Sequence, residues 1–107
     1  HITGRSAHAA GAPQEGANAL LAAAQMALNM HGITRHAKGV TRINVGVLRA
    51  GEGRNVIAPN GYLACETRGE DTNLNEFMYK ASSLVYSKHS SLFLLYYYSR
   101  SLNVLFK

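Results

Sequence analysis

An α+β fold follows from three features of this 107-residue chain. An alanine-rich segment near the N-terminus carries apolar residues at helical spacing, Thr41 to Leu48 alternates apolar with polar residues, and a second helical register begins near Asn73. Joined by strand-prone stretches, these give the order β-α-β-β-α-β. That is the pattern of a ferredoxin-like sandwich, a four-stranded antiparallel sheet with two helices on one face. A hydrophobic content of 47% with only 16% charged residues places the chain among globular proteins, and its length supports one domain.

Each element has a local reason. His1-Ile2-Thr3-Gly4 reads as the stub of a strand whose earlier residues are absent. Pro13 suits a first helical turn, where its missing N–H is no loss, and Ala17, Leu20, Leu21, Ala24 and Leu28 then recur at helical spacing over residues 17–30. Gly32 supplies a left-handed stop. In the strand 41–49, Thr41, Ile43, Val45 and Val47 share one face, with Arg42, Asn44 and Gly46 on the other. Gly51-Glu52-Gly53 turns the chain into a strand from Gly61 to Arg68, where Leu63, Cys65 and Thr67 oppose Tyr62, Ala64, Glu66 and Arg68. Asn73 and Glu76 form a capping pair for a helix reaching about Lys88, with Leu74, Phe77, Met78, Ala81, Leu84 and Val85 in register. Leu92 to Tyr98 is β-prone and supplies the last strand.

The net charge of +5 raises nucleic acid as a partner, but the charges are dispersed. Residues 1–80 hold eight Lys/Arg against six Asp/Glu, while residues 81–107 hold Lys88, Arg100 and Lys107 and no acid. The densest basic stretch, Arg35-His36-Ala37-Lys38 with Arg42 and Arg49, reads as a solvated loop and strand face. Consecutive Tyr96, Tyr97 and Tyr98 point to opposite faces of a strand and make a poor platform for bases. The longest apolar run, Leu92 to Tyr98, is too short to span a bilayer as a helix. One cysteine, Cys65, excludes an internal disulfide and fits a cytoplasmic location.

Composition changes near residue 80. All ten glycines lie at or before Gly69, and seven serines fall in the last 27 residues. The expected division is therefore a folded unit over residues 1–80 and a divergent tail over 81–107, either native or produced by a changed frame or an artificial end.

Gly4-Arg5-Ser6-Ala7-His8-Ala9-Ala10-Gly11-Ala12-Pro13-Gln14-Glu15-Gly16-Ala17-Asn18-Ala19, followed by Gly51-Glu52-Gly53-Arg54-Asn55-Val56-Ile57 and Arg68, resembles the dimerisation or lid domain of the dizinc aminoacylases, carboxypeptidases and related amidohydrolases. The resemblance covers residues 1–80. It implies a homodimer, or a dimer of related subunits, formed through strand 41–49 and helix 17–30, with the edge strands of two subunits joined into one sheet. It implies a missing catalytic domain that holds the zinc and cleaves an amide bond of a carboxylate-bearing substrate such as p-aminobenzoyl-glutamate. His8 matches the histidine that reaches into the partner's active site, where an imidazole N–H stabilises the developing oxyanion. Asn55 and Arg68 match substrate-binding positions, an amide donor beside a guanidinium that forks onto a carboxylate. One departure is Ala58, which stands where the family usually has proline, before Pro59.

By themselves these residues have plainer readings: a solvated loop histidine, an asparagine ending a turn and a surface arginine at a strand end. His31 and His36 flank Gly32, which interrupts the helix a metal pair at that spacing needs, and no carboxylate lies nearby. The chain itself is thus expected to hold no metal and to be inactive alone, since amide hydrolysis of this kind needs a metal-bound water. Ser6 and His8 lack an orienting carboxylate and form no triad. The competing functional reading is a free-standing ferredoxin-like module that binds RNA or a small ligand.

Overall fold

A computed structural model describes residues 1–94 and 105–106, with side-chain surroundings described through residue 89. In chain order they form β1 (Ile2–Thr3), a 3₁₀ turn (Pro13–Glu15), α1 (Ala19–His31), β2 (Thr41–Ala50), β3 (Asn60–Gly69), α2 (Thr72–Leu94) and β4 (Leu105–Phe106). The fold is α+β, with two helices against an antiparallel sheet in the order β1-β3-β2.

The sheet departs from the expected four antiparallel strands. β1 pairs antiparallel with β3 only at Asn60 and Gly61, which leaves the same edge of β3 open further along. β4 takes that edge at Ala64 and Cys65, and it runs parallel. The expected last strand is also corrected. Residues 92–94 are the end of α2, and residues 95–98 lie outside the described residues.

β2 and β3 form the long hairpin, in register from Thr41↔Gly69 to Ala50↔Gly61. Gly46 is an extra residue between Val45↔Cys65 and Val47↔Ala64, a β-bulge that bends this edge strand. Gly51, at φ 88°, begins the connection in a backbone region that an L side chain rarely adopts.

α1 starts two residues later than its spacing implies. Pro13 sits in the separate 3₁₀ turn, and the side chain of Asn18 accepts the N–H groups of Leu20 and Leu21 at 3.0 and 3.2 Å. Gly32 ends the helix in a right-handed conformation, φ −82° and ψ −3°, so no left-handed cap is used. α2 is capped by Asp71 instead of Asn73: its carboxylate accepts the Leu74 N–H at 2.8 Å. The helix runs beyond Lys88 to Leu94.

The core lies between sheet and helices. Ala19, Ala22, Ala23, Met26 and Met30 of α1 pack with Ile2, Leu63 and Cys65, and Ile43, Val45, Val85 and Tyr86 border them. α2 adds Leu74 and Met78, with Ser82 satisfied by donating to the Met78 carbonyl. The buried face of α1 is therefore the alanine and methionine face. The leucine stripe read from the spacing points elsewhere: Leu21 is 58% exposed and Leu28 is 70% exposed. An all-round apolar helix allows either face inward. The small residues win because they let α1 lie close against the sheet, where Ala23 is fully buried.

Candidate functional site

His8 stands in a loop stitched to the connection between β2 and β3. The Ile57 N–H donates to the Ala7 carbonyl at 2.9 Å, and the Ala9 N–H donates to the Asn55 carbonyl at 3.0 Å. These bonds place His8 beside Val56 and bring the His8 and Asn55 segments together. The loop is anchored at its start as well: the Gly4 N–H donates to the Pro59 carbonyl, and Arg5 exchanges backbone bonds with Ala17. A Cβ on Gly4 would lie 2.1 Å from the Ala17 carbonyl oxygen, so this approach requires glycine.

The imidazole is oriented by its own loop. His8 Nδ1 accepts the N–H groups of Ala10 and Gly11, at 3.1 and 2.9 Å. An accepting Nδ1 puts the proton of the neutral ring on Nε2, which faces outward on an exposed side chain. A fixed, outward N–H is what stabilising an external oxyanion requires. Ala58, at the position of the missing proline, is buried, and its carbonyl accepts the Ala19 N–H at 2.9 Å. This bond ties the same connection to the start of α1.

Arg68 lies at the opposite end of the sheet. It stands eight positions along β3 from Asn60, a run of ~26 Å at strand rise. One chain therefore brings His8 and Asn55 together and leaves Arg68 apart. Arg68 Nε donates to Glu66 on the same open face, and this bond with the Glu66 charge raises the guanidinium above its already high range. Arg68, Arg42, Arg35 and Glu66 line a cleft of about 910 Å³ at this end.

His31 and His36 border that cleft with other tasks in hand. His31 Nε2 accepts the Val45 N–H at 3.0 Å. His36 Nδ1 accepts the Lys38 N–H at 3.1 Å, and its ring packs edge-on against Phe77. Among the described residues no three His, Cys, Asp or Glu side chains come together, so this part of the chain does not fit a zinc site. Cys65 is buried, and burial pushes its thiol up, away from reactivity. No described helix is long and apolar enough to cross a membrane.

Two details of the surface go beyond the expected contact through helix 17–30 and strand 41–49. The first is a groove of about 440 Å³ between α1 and β2, lined by Ala24, Leu28, Val47 and Leu48 among others. Its signal was the surplus of apolar positions on α1, more than one core face needs. The second is the pairing of Arg42 with Arg68, which depends on hairpin register.

Residues 1–79 match the model of the peptidase dimerisation domain, and the chain belongs to that family. Within it, the stretch from Gly4 to Gly69 resembles p-aminobenzoyl-glutamate hydrolase. A homolog of one p-aminobenzoyl-glutamate hydrolase subunit, from Haemophilus influenzae, is 60% identical over 75 residues, 70% of this chain and 18% of that protein. The indole-3-acetyl-aspartic acid hydrolase of Enterobacter agglomerans is 49% identical over 79 residues, 74% of this chain and 18% of the relative. The crystal structure of an aminobenzoyl-glutamate utilization protein from Klebsiella pneumoniae superposes with a TM-score of 0.84 at 43% identity, covering 87% of this chain and 24% of the other. The chain thus spans less than a fifth of the length of these curated relatives.

Proposed function

We propose that this chain is the dimerisation and substrate-gripping domain of a zinc-dependent amidohydrolase acting on an amide of a carboxylate-bearing substrate such as p-aminobenzoyl-glutamate. The supporting observation is the second apolar face of α1 beside the unpaired edge of β2. β2 is ten residues long and, among the described residues, hydrogen-bonds as a strand only to β3. Apart from the Val45 N–H, which His31 takes, this long edge is open and invites another strand. Leu21, Leu28 and Leu48 stand exposed along it, an apolar border for a second copy of α1 and β2.

A two-fold axis through that edge makes one sheet of two chains, with the two β2 strands antiparallel. Opposite ends then meet. The His8 and Asn55 end of one chain adjoins the Arg68 end of the other, which is the arrangement a shared site needs. In this reading His8 stabilises the oxyanion in the partner's site, and Asn55 and Arg68 hold the substrate carboxylate. Zinc belongs to a catalytic domain outside this chain, and the chain alone is inactive. Residues 1–80 form the domain, 81–107 are its divergent tail, and the protein works in the cytoplasm.

Sedimentation equilibrium of the chain tests the proposal. A dimer that Leu28→Glu converts to monomer supports it. A wild-type chain that stays monomeric at millimolar concentration overturns it. The competing oligonucleotide-binding reading requires salt-sensitive association, and a flat titration at low salt removes it.

A further inference from the structure

The proposed substrate class can be sharpened from the open face of the hairpin, and the inference rests on the reading above. Arg42 and Arg68 are direct cross-strand partners. Paired positions share a face of the sheet, and both arginines lie on the face opposite Ile43, Cys65 and Thr67. Their Cβ atoms are then ~5 Å apart, the spacing of directly opposed residues. Like charges so placed weaken a hairpin unless something neutralises them.

The neighbours neutralise only part of this charge. Glu66, two residues from Arg68 and opposite Asn44, engages Arg68 through Nε alone, leaving both terminal nitrogens of that guanidinium. Arg42 has no ion pair among the described residues, and Arg35 borders the same cleft. Both partners of the Arg68–Glu66 pair are largely exposed, at 71% and 48% of the side chain, so the pair exchanges readily with a ligand.

We infer that Arg42 and Arg68 together grip the two carboxylates of a dicarboxylic amino-acid moiety, with Arg42 setting the preference for the second carboxylate. Arg68 takes one carboxylate end-on through its terminal nitrogens. Arg42, one strand away on the same face, takes the other. Two forks a strand apart match two carboxylates on a short carbon chain, whereas a single anion uses one fork. Selectivity then lies in the hairpin register, and no residue of another domain is needed to distinguish a dicarboxylate from a monocarboxylate.

The test is an NMR titration of the full chain with glutarate, butyrate and sulfate at constant ionic strength. Glutarate should bind about tenfold more tightly than butyrate, because it adds one charge-assisted pair, and should shift both arginine side-chain signals together. Arg42→Gln should bring glutarate to the butyrate level while leaving butyrate within about twofold. Arg68→Gln should weaken both, Glu66→Gln should tighten glutarate, and Arg49→Gln, further along β2, should change neither. Equal binding of glutarate and sulfate, or equal losses in Arg42→Gln and Arg49→Gln, would mean diffuse charge attraction and overturn the inference. The dimer reading fails separately. A monomer that still distinguishes glutarate from butyrate refutes the dimer and keeps the paired arginines, whereas a dimer that does not distinguish them refutes only the pair.

Discussion

The two ends of the β2–β3 hairpin are built on opposite principles. At the His8 end, position comes from backbone hydrogen bonds: the loop is laced to residues 55–59 and to Ala17, and even the imidazole is held by two backbone N–H groups. At the Arg68 end, position comes from strand register, and the side chains that carry charge are exposed. The first end presents one oriented N–H group. The second presents exposed charge that adapts to an anion. A site assembled from one end of each chain would combine rigid polarisation with adaptable grip.

That contrast can be broken selectively. The largest effect should come from Gly4→Ala, because the new Cβ meets the Ala17 carbonyl oxygen on rigid backbone. We expect a loss of about 3 kcal/mol in urea unfolding, a cost at the upper end of overpacking, with NMR shifts concentrated around His8 and Asn55. Met30→Ala, in the core beneath the other end, should cost a similar amount, about 2–4 kcal/mol, but spread its shifts through α1, β2 and β3. Asn18→Ala removes the cap that starts α1 and should cost about 1 kcal/mol.

Tyr86 tests the core between the ends. Its hydroxyl is buried without a hydrogen-bond partner among the described residues, and burial pushes its pKa up to about 12. The unfolded chain releases that proton near pH 10, before the folded one does. This contribution to stability is therefore complete below about pH 10 and lost between about pH 10 and about 12. Tyr86→Phe should flatten that part of the alkaline stability profile and gain about 1 kcal/mol at neutral pH. The smallest effect belongs to Arg68→Gln. It should change stability by less than about 0.5 kcal/mol, because the pair with Glu66 is exposed, while anion binding falls.

The strands were legible in the sequence because alternation reports a half-buried sheet directly: Thr41, Ile43 and Val45, then Leu63, Cys65 and Thr67, turn inward as expected, whereas the bulge at Gly46 sets Val47 opposite Ala64 on the other face and Leu48 opposite Leu63. α1 was legible as a helix but not in its orientation. Its leucines and its alanines and methionines both fit helical spacing, and only close packing on the sheet chooses between them. β4 depends on which edge of β3 stays open, a property no local pattern carries. Of the candidate residues, His8 and Asn55 are joined by backbone bonds between segments 47 residues apart, a juxtaposition that motif order alone does not state. Arg42 stayed hidden as one cation in a basic stretch. Its meaning lies in the residue opposite it, and Gly46 shifts that register by one residue further along.

The most direct measurement is the intermolecular distance between spin labels placed at the two ends of β2, through Arg42→Cys and Ala50→Cys, with buried Cys65 replaced by Ser. Two chains joined through antiparallel β2 edges put residue 42 of one chain near residue 50 of its partner. Mixed labels at 42 and 50 should then give a short distance, while 42 to 42 and 50 to 50 each give distances of about 25 Å, the strand length between them. A short distance between the two copies of residue 42, or no intermolecular distance at all, would contradict a site shared between the unlike ends of two chains.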